Sequence, residues 1–187
     1  MDILVAGLNA RALRVAADVL AASLAFVAAR HATRGAVRND GALPAFWYYT
    51  AALLLALALA REIDLASRIA GVGRGVFDTE GWYAHRRRYQ TAAILLIVLW
   101  SGLVALSGCW LLVRRHHERI LPGFVALDGL LTFLAVRALS LHQIDALLYR
   151  RSVHEVRVNA LVELTMTCIV ALTAVLAVLI HRPHAST

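Results

Sequence analysis

The residues that could do chemistry come in short sets at helical spacing. Arg11, Arg14 and Asp18 fall three and four residues apart, and so do Arg61, Asp64 and Arg68, with Glu62 beside them. On a helix each set lies on one face. His142 and Asp145 share a face in the same way, as do Asn159 and Glu163. Arginines opposite carboxylates suit interhelical ion pairs, or the capture of an anionic headgroup through charge-assisted hydrogen bonds. A histidine among carboxylates can instead relay protons, or serve as acid and base on a phosphate ester. His142, Asp145 and Glu163 are the candidates for catalysis, with no recognisable nucleophile beside them. The same three are the candidates for a metal, but one His-x-x-Asp pair falls short of an ordinary ligand set, so no metal is assigned. No cofactor is indicated.

These sets are embedded in a chain that needs a solvent other than water. Of its 187 residues 60% are hydrophobic and the mean hydropathy is +0.68, against about 45–50% apolar in an ordinary soluble domain. The stretch from Ala92 to Val113 carries no charge, and about 20 residues at 1.5 Å each cross a hydrocarbon core of about 30 Å. The apolar runs predict an all-α transmembrane bundle of five helices over about 3–30, 44–70, 89–113, 122–149 and 153–180. They use up the chain as a single domain, 1–187. In the first helix Ala17, Ala21, Ala25 and Ala29 recur every four residues and favour close helix approach. In the second, Pro44 suits a first turn and Trp47, Tyr48 and Tyr49 fit an interfacial aromatic belt. Its apolar part, Ala45 to Ala60, is short for a span and must extend into its charged end.

All 19 basic residues are arginine and the net charge is +7. Most lie in short links or at helix ends, the pattern of membrane topology and phospholipid contact and not of a nucleic-acid face. No nucleic-acid partner is expected. The links after the second and fourth helices, with the adjoining helix ends, hold nine arginines against seven on the opposite face, or eleven with Arg11 and Arg14. Positive residues stay inside, which predicts a cytoplasmic N-terminus. The first apolar stretch has neither a basic leader nor a small-residue cleavage site and reads as a retained helix. Cys109 and Cys168 fall in different helices without a pairing pattern and read as small apolar residues in helix interfaces. His116, His117, His181 and His184 lie towards the other surface and read as solvated. The Gly71–Gly75 run has no phosphate-loop spacing and reads as a turn.

This topology brings nearly every charge within a helix to one depth, near the cytoplasmic surface. A charge facing lipid at mid-bilayer costs about 2.5–3.5 kcal/mol, so the sets are expected to face one another. The segment Glu80-Gly81-Trp82-Tyr83 followed by Arg87 and Gln90, and His142-Gln143-Ile144-Asp145, resemble small polytopic bacterial membrane proteins of uncharacterised function. The resemblance implies no activity, but joins Glu80, Trp82, Tyr83, Arg87, Gln90, His142 and Asp145 into one set.

The leading expectation is a multi-pass protein of the bacterial inner membrane, an oligomer or a subunit of a membrane complex. Its cytoplasmic-side cluster would bind an anionic lipid or partner through Arg14, Asp18, Arg61, Glu62, Asp64, Arg68, Glu80, Trp82, Tyr83, Arg87, Gln90 and Asn159. Membrane lipids and further copies of the chain are the expected partners. The alternatives are a membrane enzyme on a lipid-like substrate using His142, Asp145 and Glu163, and a proton or ion pathway formed by oligomerisation.

Overall fold

A computed structural model describes residues 2–35, 42–63, 86–115, 117–139 and 158–180. All of the described secondary structure is helical, with no strand. Five α-helices follow one another: α1 Asp2–Gly35, α2 Ala42–Glu62, α3 Arg86–Arg114, α4 Leu121–Leu139 and α5 Val158–Ile180. A short 3-10 turn, Glu118–Ile120, leads directly into α4. All five contain a stretch long and apolar enough to cross a membrane, as the sequence predicts. The helices have no strong apolar stripe because they are apolar nearly all round, as expected where the surrounding solvent is lipid. The predicted extensions of α2 to residue 70 and of α4 to 149, and the start of α5 at 153, lie outside the described residues. Helix α1 runs past the expected end at Arg30, and Thr33 donates a hydrogen bond back to the Arg30 carbonyl in its last turns.

Four helices build the interior. One cluster joins Ala21 and Ala22 of α1 to Leu54 of α2, to Ala126, Leu127 and Leu130 of α4 and to Val170 of α5. A second, towards the other end, joins Ala25, Ala28 and Ala29 to Trp47, Ala51, Ile120 and Ala174. The alanine face of α1 is therefore its packing face: Ala21, Ala25 and Ala29 are fully buried, which lets α2 and α5 come close. Trp47 departs from the sequence expectation. It is 1% exposed and inside the bundle, because positions 47, 51, 54 and 58 form the stripe of α2 that meets those alanines, and the indole fills the space they leave. Tyr48 and Tyr49 remain exposed, as an aromatic belt requires. Cys168 departs too: it is exposed on α5 instead of lying in an interface.

Helix α3 stands apart. Its membrane stretch, Thr91–Arg114, contains no buried residue, and it rests chiefly on α4. Two contacts set that pairing. At Gly108 a methyl group would overlap the Phe124 ring where it stands, so the missing side chain is what seats that ring against α3. Seven residues earlier Ser101 reaches Asp128, which fixes α3 and α4 as antiparallel. The Arg114 guanidinium lies 4.1 Å over the Trp110 ring, an anchor of cation and indole at the end of the span.

Candidate functional site

The antiparallel run of the helices brings the N-terminal parts of α1 and α5 and the C-terminal ends of α2 and α4 to one end of the bundle. There Glu163, 1% exposed, faces three guanidinium groups from three different helices. Arg137 of α4 donates from Nη1 to Glu163 Oε1 at 2.5 Å. Arg61 of α2 donates from Nη1 to Oε2. Arg14 of α1 donates to the same oxygen at 3.3 Å. One carboxylate thus ties α5 to every other helix of the interior.

Asp18 is the second acid of the centre and is equally buried. Thr167 donates to its Oδ1 at 3.2 Å. Its Oδ2 lies 2.8 Å from Arg61 Nε, yet neither atom has a hydrogen-bond partner among the described residues. Their approach is off the hydrogen-bond direction, so the contact is ionic. The burial of the arginines is graded: Arg61 is 12% exposed, Arg14 18% and Arg137 28%. Acids therefore lie innermost and the guanidinium groups form the outer layer. Such an order suits long side chains whose stems cross apolar surface while their heads reach towards the membrane face.

Two further buried polar atoms of this region have no hydrogen-bond partner among the described residues: Arg61 Nη2, a donor, and Asn159 Oδ1, an acceptor. Asn159 is one turn before Glu163 on the same face of α5 and is 2% exposed. A buried polar atom left unsatisfied is costly. A bound group or water with an acceptor for Arg61 and a donor for Asn159 would remove that cost.

Several expected members meet here and others do not. Arg14, Asp18, Arg61, Asn159 and Glu163 lie in the centre. Glu62 is displaced from it: it is exposed and pairs with Arg11, whose guanidinium also meets the Glu62 backbone carbonyl. Asp64, Arg68, Glu80, Trp82, Tyr83, His142 and Asp145 lie outside the described residues. Arg87 and Gln90 fall in the first turns of α3, but their side chains are not described. Two members are not among the site residues expected from sequence. Arg137 interrupts an otherwise apolar run, and Thr167 continues the i, i+4 series from Asn159 through Glu163; both signals were legible from spacing. Among the described residues no three His, Cys, Asp or Glu side chains gather as a metal site, and three cationic neighbours make Glu163 a poor ligand for a cation.

A second polar group lies at mid-span. Asp128 is the central residue of the stretch Glu118–Ala138. Ser101 donates to its Oδ2 at 2.7 Å. The Thr132 hydroxyl lies 2.6 Å from Ser101 Oγ and 2.8 Å from the Asp128 carbonyl, and its one proton can serve only one of them.

No protein-family model, curated protein or solved structure matches the chain.

Proposed function

We propose that this is a multi-pass membrane protein whose arginine–carboxylate centre binds an anionic lipid headgroup, and that it works as a non-enzymatic oligomer or membrane-complex subunit. The observation that carries the reading is the unsatisfied Arg61 Nη2 in a buried centre ringed by further guanidinium groups. A phosphate oxygen is the acceptor that a guanidinium fork matches best, and a headgroup hydroxyl would meet Asn159 Oδ1. Arg137 and Arg14 form the more exposed rim through which such a headgroup arrives. The arginine bias assigns this end to the cytoplasmic face of a bacterial inner membrane, with the whole chain forming one membrane domain.

Saturated pairing of Glu163 favours this reading over a proton relay, because both of its carboxylate oxygens are already engaged by guanidinium groups. The test is native mass spectrometry and thermal unfolding in nanodiscs of phosphatidylglycerol or of phosphatidylcholine alone. Retained anionic lipid and a higher midpoint in phosphatidylglycerol are expected, both reduced in Arg137→Gln. Equal behaviour in the two lipids overturns the proposal.

A further inference from the structure

Four buried polar atoms of the arginine–carboxylate centre make no hydrogen bond among the described residues, and they divide evenly. Nε and Nη2 of Arg61 can donate, while Oδ2 of Asp18 and Oδ1 of Asn159 can accept. They come from α2, α1 and α5 and converge on Glu163. Arg61 reaches Asp18 through Nε and Glu163 through Nη1, and Asn159 stands one turn before Glu163, where Cβ atoms are about 5–6 Å apart. Acceptors as deeply buried as Asp18 and Asn159 call for donors. The centre therefore asks for more than an anion. Any phosphate supplies the acceptor that Arg61 lacks, but a lipid phosphodiester has no proton of its own to give. Two donors for Asp18 and Asn159 must belong to the alcohol esterified to that phosphate.

We infer that the centre selects a phosphodiester lipid whose headgroup alcohol carries two neighbouring hydroxyls, the chemistry of phosphatidylglycerol. The phosphate lies on the Arg61 fork, and the hydroxyls donate to Asp18 Oδ2 and Asn159 Oδ1. The inference rests on the headgroup reading above and names which headgroup. An ammonium headgroup also has protons to donate, but three guanidinium groups face two carboxylates here. A zwitterionic lipid would add a further cation to that excess. A choline headgroup has no donor at all, and a phosphate monoester lacks the alcohol. Asn159 is the residue that determines specificity, because it meets the alcohol and not the phosphate. Arg137, the most exposed of the three arginines, flanks the way in, and its long stem lets the guanidinium follow the phosphate.

The experiment is native mass spectrometry of the full-length protein released from phosphatidylcholine nanodiscs doped equally with phosphatidylglycerol and phosphatidylmethanol. These two diesters carry the same charge and differ in the hydroxyls. The wild type is expected to retain phosphatidylglycerol over phosphatidylmethanol by roughly tenfold, the effect of two hydrogen bonds to buried acceptors. Asn159→Ala is expected to reduce that ratio to about threefold, with both diesters still preferred over phosphatidylcholine. Arg137→Gln is expected to lower retention of both without changing the ratio. Thermal unfolding shows whether each variant folds, and the wild-type ratio decides even where one does not. Equal retention of the two diesters, both above phosphatidylcholine, gives the unpartnered acceptors to water and overturns the hydroxyl inference alone. So does phosphatidylethanolamine that competes as well as phosphatidylglycerol, or an unchanged ratio in well-folded Asn159→Ala. No preference for either diester over phosphatidylcholine overturns the headgroup reading as well. Soluble glycerophosphoglycerol is expected to leave the unfolding midpoint in phosphatidylcholine nanodiscs unchanged. A shift as large as that given by phosphatidylglycerol would make a free diester the ligand and overturn the lipid source.

Discussion

Glu163 is one carboxylate facing three guanidinium groups, so its loss and the loss of any single arginine are not equivalent. Removing the acid leaves three guanidinium groups with only Asp18 among the described residues to compensate them, and breaking a buried pair in this way costs about 3–5 kcal/mol. Glu163→Gln is therefore expected to lower the unfolding midpoint in nanodiscs far more than Arg137→Met, whose site is the most exposed of the three. Equal losses for the two would show that Glu163 is not the hub. Thr167→Val removes one hydroxyl from Asp18, and interhelical hydrogen bonds in membranes average only about 0.6 kcal/mol. That variant should fold with a barely altered midpoint; a collapse would mean that Asp18 depends on Thr167 for more than one bond. The residues at this scale were readable as spacings. Their partners were not, because spacing along one helix says which side chains share a face and nothing about which helix that face meets.

At the scale of elements the decisive feature is which face of each helix is small. Ala25 of α1 is fully buried between neighbouring helices, whereas Leu20 is 61% exposed. Ala25→Leu adds volume where backbones are close and is expected to destabilise by about 1–3 kcal/mol. Leu20→Ala exchanges one lipid-facing apolar group for another and should cost little, since lipid tails are as apolar as leucine. Thermal unfolding of the two variants side by side checks the assignment of the packing face, and a reversed ranking would refute it. Gly108 makes a similar claim for α3. Gly108→Ala should displace the Phe124 ring and loosen α3 from α4, and adding Phe124→Leu should recover part of the loss. A disulfide cross-link between cysteines placed on α3 and α4 reports the loosening directly. Trp47 shows how composition misleads at this scale: a tryptophan near a helix start fits an interfacial belt, but the alanines opposite leave a space that only a large side chain fills.

For the whole molecule, the proposed topology of five spans predicts termini on opposite sides of the membrane, with the N-terminus inside. Cysteines placed near residues 3 and 185 in a Cys109→Ser, Cys168→Ser background should differ in labelling by an impermeant thiol reagent on intact cells. Only the C-terminal site is expected to react. Labelling of the N-terminal site alone would invert the orientation and move the charged centre to the outer leaflet. The bundle is also uneven: α1, α2, α4 and α5 enclose two apolar clusters, while α3 contributes no buried residue and touches the second only through Leu112. Nothing in the sequence marks that difference, since α3 has the same high mean hydropathy, 2.3, as the well-packed α5. In lipid, hydropathy reports only that a helix can span; it does not distinguish contact with protein from contact with acyl chains.

The number of described spans and their all-α class were determined by the sequence alone, because the length of an apolar run is a one-dimensional constraint. The tertiary structure decided the rest. It chose Glu163 as the meeting point of Arg14, Arg61 and Arg137, set Glu62 aside with Arg11, and buried Trp47. It also left Asp128 half enclosed at mid-span. Those outcomes depend on which helices become neighbours and how far each is rotated about its axis, and close packing between helices fixes both only once the whole bundle has assembled.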